Sequence, residues 1–140
     1  MTEAKVQEQV GSVISIILPT RGRTGGALQD SIKSLCENAD DPSRLEIMLG
    51  IDDDDQESID WVNNKATDFV SPFGCACKAK VFKPLGYEQL NVYVNLLCHA
   101  SSGAWLFLWN DDALMQTKGW DTVVRSYDGQ FKCLAPQDNH

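Results

Sequence analysis

The sequence lacks the long apolar stretch that a membrane-spanning helix needs. Its longest relevant run, residues 105–109, has the length of a strand, whereas a spanning helix takes about 20 apolar residues. The first residues are polar and carry Glu3, Lys5 and Glu8, which is not the pattern of a signal peptide. We therefore expect a cytoplasmic protein without a membrane span.

Positive charge is also scarce. Lys and Arg number 12 against 20 Asp and Glu, so the formal net charge is −8. A protein that binds nucleic acid generally needs a basic face for the phosphate backbone, and we expect no nucleic-acid partner. A nucleotide ligand is still compatible with this charge, because a metal ion can bridge two anionic groups.

Familiar glycine and cysteine motifs are missing. The glycine cluster at 22–26 matches neither the dinucleotide fingerprint nor the P-loop. The acidic run from Asp52 lacks the glycine that a calcium-binding EF-hand loop has at its sixth position. The five cysteines are scattered, and Cys75 and Cys77 are too close together for a CxxC pair. We expect reduced, mostly buried thiols.

What the sequence does contain is a regular alternation of apolar strands and amphipathic helices. The predicted strands are 13–18, ended by Pro19, then 45–51, 76–82, 105–109 and a last segment near 131–135. The predicted helices are 27–38, 58–70, 88–100 and a short segment near 117–127. This alternation is typical of an α/β fold with a parallel sheet. We expect residues 1–140 to form one domain, with residues 1–11 as a polar lead-in.

Polar clusters follow three of these strands. If the first strand is central, the fourth lies beside it on the side away from the second, and these two strands flank the topological switch point. Ligands of such sheets bind in the crevice at the carboxyl ends of the strands. The clusters expected at that edge are Pro19-Thr20-Arg21-Gly22-Arg23, Asp52-Asp53-Asp54-Asp55 and Asn110-Asp111-Asp112.

Basic and acidic side chains at one crevice suit a metal ion with a phosphorylated ligand. Carboxylates bind a hard divalent cation through oxygen, and the cation binds the phosphate. Arg21 or Arg23 can donate charge-assisted hydrogen bonds to a phosphate or a carboxylate. Simpler interpretations stay open: residues 53–55 can cap a helix, Asp111 and Asp112 can lie in a solvated turn, and the arginines can belong to a surface loop.

In their order and their placement at strand ends, these segments resemble the nucleotide-binding half of a GT-A glycosyltransferase, nearest to glycosyltransferase family 2. The likeness covers roughly residues 12–125. The parts that carry it are the donor loop at 19–23, the second strand ending at Asp52, Asn95, Gly103, the DxD-like segment Asn110-Asp111-Asp112, and Gly119-Trp120-Asp121.

The resemblance implies a Rossmann-like GT-A nucleotide-binding fold, with a mostly parallel central sheet flanked by helices. The chain is short for that family, so the expected fold is a minimal version of it. The implied activity is metal-dependent transfer of a sugar from a nucleotide-sugar, with a UDP-sugar favoured, to a sugar or protein acceptor that the sequence does not identify.

The resemblance also implies roles for individual residues. Asp52 would accept a hydrogen bond from the base, and Asp111 would face the ribose or the sugar. Asp112 would bind Mn²⁺ or Mg²⁺ on the diphosphate, with Asp111 and His140 as weaker candidate ligands. The metal would stabilise the charge on the leaving diphosphate. The implied donor-binding residues are Pro19, Thr20, Arg21, Arg23, Asp52, Asn95, Asn110 and Asp111.

The chain departs from the family pattern in two places. Asn110 replaces the first acid of the DxD motif, so metal binding would depend mostly on Asp112. Val94 stands where the family often has a basic residue. The catalytic base is unknown, and Asp121 and Asp138 are weak candidates for it.

Two other hypotheses stay open. One is a non-catalytic nucleotide or nucleotide-sugar binding module on the same fold. The other is an interaction domain whose acids form a solvated rim. An exposed edge at the predicted fifth strand would leave room for a homo-oligomer, because unpaired edges are usually covered.

Overall fold

The structure is a computed structural model that describes residues 12–84, 89–130 and 134. Its strands form one sheet in the order β3-β2-β1-β4, and every neighbouring pair is parallel. The strands are β1 (Ile14–Thr20), β2 (Leu45–Asp52), β3 (Ala76–Phe82) and β4 (Trp105–Leu108). The prediction of an α/β fold with a parallel sheet is confirmed. The first strand is central, and the fourth lies beside it on the side away from the second, as expected for a central first strand.

The helices also follow the predicted pattern. They are α1 (Ala27–Glu37), α2 (Gln56–Trp61), α3 (Thr67–Val70), α4 (Leu90–Ala100) and α5 (Trp120–Arg125). A π-helical turn at Val62–Ala66 joins α2 to α3. The last helix is shorter than predicted because Gly119 precedes it with a left-handed backbone (φ 72°). None of the helices in the described ranges is long and apolar enough to cross a membrane.

Two predicted segments lie outside the described residues. They are the polar lead-in at 1–11 and, apart from Leu134, the fifth strand near 131–135.

Pro19 does not end the first strand, which corrects the sequence prediction. β1 continues through Pro19 to Thr20, and Pro19 pairs with Gly50 of β2. The carbonyl of Ile17 accepts a hydrogen bond from Trp109 N, so residues 17 and 19 direct their main-chain groups to the β4 side. β4 ends at Leu108, which pairs with Ile17, so no β4 residue pairs with Pro19. The missing N–H of Pro19 therefore removes no hydrogen bond from the sheet.

One face of the sheet carries most of the core. Alternate residues of β1 and β2 pack there against α1 and the α2–α3 segment. Helix α1 contributes a stripe at helical spacing, Leu28, Ile32, Leu35 and Cys36, all of it buried. Trp120 at the start of α5 closes this side and stacks on Phe107 with ring centroids 5.0 Å apart.

On the opposite face of the sheet, fewer buried residues pack against the strands. Helix α4 packs Leu97 against Ile17 and Met48. Gly50 faces the same helix, because a Cβ added there would lie 2.9 Å from Leu97 Cδ1. On β4, Leu106 and Leu108 remain 48% and 61% exposed. Only the inner strands of this face are therefore buried by described residues.

Candidate functional site

A cleft of about 940 Å³ opens at the carboxyl ends of β1 and β4. The loop after β1, the end of β2, the segment after β4 and helix α4 all line it. The sheet order changes direction between β1 and β4, so the cleft lies at the switch point where ligands of such sheets bind. The three polar segments singled out in the sequence are in direct contact here.

Arg21 links the loop after β1 to the acidic run after β2. Its Nη1 lies 2.7 Å from Asp52 Oδ2 and 2.6 Å from Asp54 Oδ1. The hydrogen bond from Arg21 holds the pKa of Asp54 below its usual value, and Asp54 and Asp52 raise the pKa of Arg21 in return. Arg21 is 57% exposed, so this pairing orients the side chains more than it stabilises the fold.

Tyr93 is a cleft residue that the sequence prediction missed. Its hydroxyl donates a hydrogen bond to Asp52 Oδ1, the oxygen that Arg21 does not bind. The ring packs edge-on against Phe82, with centroids 5.5 Å apart. The available signal was a tyrosine on the buried side of a predicted helix, since a buried tyrosine hydroxyl usually finds a partner.

A second set of contacts joins the loop after β1 to the segment after β4. Thr20 Oγ1 donates to Asp111 Oδ2 at 2.8 Å. Arg23 faces both acids, with Nε 3.4 Å from Asp111 Oδ2 and Nη1 3.4 Å from Asp112 Oδ2. Asp111 is 15% exposed and Asp112 is 58% exposed. Asp112 therefore presents its carboxylate to solvent next to Asp111, although only Asp111 of the two lines the cleft.

The helix-cap interpretation of the acidic run holds for one residue. Asp55 accepts hydrogen bonds from Ser58 N and Ser58 Oγ and so caps α2. It also accepts from Gly22 N at 2.9 Å, which ties the loop after β1 to this cap. Asp55 is buried and has a structural role, while its neighbours Asp53 and Asp54 are exposed.

Of the three remaining donor-binding candidates, two line the cleft and one does not. Pro19 and Asn110 line the cleft. The carbonyl of Asn110 accepts from Ser31 Oγ, which in turn accepts from Trp109 Nε1. Asn95 is exposed on α4 and is not among the lining residues. The prediction for Asn95 therefore has no support in the geometry of this cleft.

Asp121, a candidate base in the sequence, lies at the opposite edge of the sheet. It is fully buried and accepts hydrogen bonds from Asp40 N and Asp41 N, and it pairs with Arg125. Arg125 also donates to the carbonyl of Ser12, just before β1. Burial raises the pKa of Asp121, but these backbone donors and Arg125 outweigh it and lower the pKa overall. This position corrects the assignment of Asp121 as a base for chemistry in the cleft.

Two further candidates, Asp138 and His140, lie outside the described residues. They stay predictions.

The cleft offers oxygen ligands for a cation, but few of them. No three His, Cys, Asp or Glu side chains of residues 12–84 and 89–130 come close enough together to hold a metal ion. Asp111 and Asp112 remain as a neighbouring pair beside Arg23. Mg²⁺ is usually bound by one or two carboxylates together with substrate phosphates. Two carboxylates are therefore the most that this part of the described site would offer to such a cation.

No protein-family model matches the chain, and no curated protein is significantly similar to it in sequence. The fold and the site define an α/β protein with a four-stranded parallel sheet in the described residues, compatible with a Rossmann-like fold.

Proposed function

We propose that this chain is a small GT-A type glycosyltransferase that uses a UDP-sugar and a divalent cation, Mn²⁺ or Mg²⁺. One observation carries the proposal. Two arginines of the loop after β1 and the acids that follow β2 and β4 surround a single cleft at the switch point of a parallel sheet. A nucleoside diphosphate needs this combination: cationic donors for the phosphates, and carboxylates for the base and for a cation.

The charge of the site supports the dependence on a cation. Arg21 and Arg23 contact four carboxylates in all, so the cluster has a formal excess of two negative charges. A diphosphate entering alone would meet net repulsion at short range. Asp112, the most exposed carboxylate of the cluster, would hold a divalent cation, whose charge would offset that repulsion.

The proposed roles follow from the contacts. Asp52, oriented by Arg21 and Tyr93, accepts a hydrogen bond from the base. Asp111, which accepts a hydrogen bond from Thr20, faces the ribose or the sugar, and Thr20 lines the nucleoside and phosphates. A cation bound at Asp112 would supply positive charge to the diphosphate as it leaves.

A second candidate function is a non-catalytic nucleotide-sugar binding module. Transfer with inversion needs a carboxylate base beside the acceptor hydroxyl. The carboxylates that line the cleft, Asp52 and Asp111, are both already hydrogen-bonded to neighbouring side chains in the described structure. With respect to the catalytic base, this observation favours the binding module over the enzyme.

Titration calorimetry of the purified protein with UDP, with and without Mn²⁺, tests both candidates. GDP and ADP are the controls. We expect Mn²⁺-dependent binding that is selective for UDP. Assays of UDP-sugar hydrolysis and transfer then separate the enzyme from the module, since only the enzyme turns over the donor. No nucleotide binding under any condition would contradict both and leave the acids as a structural rim.

The proposed setting is the cytoplasm. The four cysteines in the described residues are free thiols, and Cys36 and Cys75 are buried with their sulfur atoms 3.7 Å apart. Burial raises the pKa of the Cys77 thiol to about 12. Such thiols persist in a reducing compartment.

A further inference from the structure

We propose that Arg23 competes with the cation: its guanidinium pairs with Asp111 and Asp112 until it binds the phosphates of a nucleoside diphosphate instead. This inference rests on the proposed function, because the diphosphate is the ligand that releases Arg23. It makes metal and nucleotide binding interdependent: neither ligand binds tightly alone, and together they do.

Arg23 already pairs with the two carboxylates that would hold the cation. Its Nε and Nη1 each lie 3.4 Å from an acid, and the two oxygens they face are Asp111 Oδ2 and Asp112 Oδ2. A divalent cation would be held by Asp112, with Asp111 as the weaker ligand, through carboxylate oxygens. The guanidinium and the cation would therefore compete for the same two carboxylates.

The two arginines of the loop differ in how closely they hold their acids. Arg21 holds its acids at 2.6 and 2.7 Å, whereas Arg23 holds its acids at 3.4 Å. Both arginines are exposed, at 57% and 43%, so the length of the contacts is what distinguishes them. Long ion pairs at exposed positions contribute little to stability. Arg23 is thus the arginine whose contacts to its acids can be lost at the lower cost in free energy.

The chemistry of the incoming diphosphate also favours the release of Arg23 from its acids. A guanidinium donates two parallel hydrogen bonds to a phosphate more strongly than it holds a distant carboxylate. Once Arg23 turns to a phosphate, Asp111 and Asp112 lose their positive neighbour and attract the cation. One side chain then serves both ligands as they bind together.

Removal of the guanidinium should consequently have opposite effects on the two ligands. In Arg23→Gln, Mn²⁺ alone should bind about threefold to fivefold more tightly, because an exposed pair of this kind no longer opposes it. UDP in the presence of saturating Mn²⁺ should bind about tenfold more weakly, because a charge-assisted phosphate contact is lost. A residue with only a structural role would weaken both or neither.

The experiment measures Mn²⁺ alone, and UDP with saturating Mn²⁺, on the full chain and two variants. Free Mn²⁺ is followed by electron paramagnetic resonance, and UDP binding by calorimetry. The matched control is Lys33→Gln, which also removes one positive charge and releases an exposed acid, Glu37, outside the cleft. The control should leave both affinities within twofold of the parent chain. Thermal melts check that Arg23→Gln, at an exposed position, stays folded.

The outcomes separate the inference from the proposed function. Suppose that the parent chain binds UDP with Mn²⁺ but Arg23→Gln does not increase the affinity for Mn²⁺ alone. Arg23 then does not compete with the cation, and the nucleotide site stands. An equal increase in the affinity of Lys33→Gln for Mn²⁺ alone would show that the effect comes from net charge, and it would also overturn the inference. If the parent chain binds no UDP at saturating Mn²⁺, the proposed function is wrong, and the inference falls with it.

Discussion

Two pairs of acids, one at each edge of the sheet, are used in opposite ways. At the amino edge, Glu46 and Asp121 are 4% and 0% exposed, and several donors hold each of them. At the carboxyl edge, Asp54 and Asp112 are more than half exposed, and each has one arginine neighbour. The difference shows that the number of fixed donors and the degree of burial decide whether an acid supports the fold or is available to a ligand.

Glu46 illustrates the structural use. It accepts hydrogen bonds from Ser15 Oγ, from Ser102 N and Oγ, and from Lys78 Nζ at 2.9 Å, so it ties three strands to the loop before β4. Burial alone would raise its pKa, but the Ser102 backbone donor, Lys78 and the serine hydroxyls lower the pKa to about 2. Gly103 belongs to the same junction, where an added Cβ would lie 2.7 Å from Ser15 N.

The largest expected effect is the loss of this junction. Glu46→Ala should lower the free energy of unfolding by about 3 kcal/mol, because it leaves buried donors without their acceptor. Urea denaturation measures the change. The matched control, Glu37→Ala on exposed α1 surface, should change it by less than about 0.5 kcal/mol. Equal effects of the two substitutions would remove the contrast between buried and exposed acids.

The same residue predicts a dependence on acid pH. The pKa of Glu46 is lowered from 4.5 to about 2, so the folded state binds the proton less readily than the unfolded chain. Its contribution is complete above pH 4.5 and is lost as the pH falls towards 2, with a total of about 3 kcal/mol. Urea titrations between pH 6 and about 2 should show a shallower decline in Glu46→Gln than in the parent chain. Parallel declines would contradict the assignment.

At the other edge the effect should be on binding and not on stability. Asp112→Ala should weaken Mn²⁺-dependent UDP binding at least about tenfold, or about 1.4 kcal/mol, because the exposed acid is the proposed cation ligand. The melting temperature should stay unchanged. Asp68→Ala, another exposed acid, serves as the control and should bind UDP normally. Unchanged UDP affinity in Asp112→Ala would overturn the metal assignment.

The smallest expected effect concerns the base. Tyr93→Phe removes the hydroxyl that holds Asp52 but keeps the ring against Phe82. The preference for UDP over GDP should fall about threefold, the scale of one hydrogen bond, while affinity for Mn²⁺ alone stays the same. Calorimetry with both nucleotides measures the ratio. A uniform loss for UDP and GDP would assign Tyr93 a purely structural role.

Much of the fold could be read from the sequence. Apolar runs marked the strands, and helical spacing marked α1 and α4, so the parallel sheet was predictable. The place of β4 beside β1 followed only on the condition that β1 is central, which the structure bears out. Pro19 was misjudged, because its tolerance depends on β4 ending at Leu108, which no local pattern shows. The gathering of the polar segments at one edge followed from topology.

Individual roles within those clusters were less predictable. Asp53, Asp54 and Asp55 are chemically identical in the sequence, yet Asp55 caps α2 while Asp54 pairs with Arg21. Tyr93 was missed because its partner, Asp52, is distant in the chain. Asn95 sits on the same helix as Tyr93 but is exposed and does not line the cleft.

The sequence by itself determined the α/β class and the placement of charged residues after three of the strands, because periodicity and the ends of apolar runs are local patterns. Only the tertiary structure decided which acids are committed to the fold. Asp121 follows a DxD-like segment in the sequence, but its donors, Asp40 N and Asp41 N, come from residues 81 and 80 positions away. Burial and hydrogen bonding depend on such distant neighbours, and these determine what a carboxylate can do.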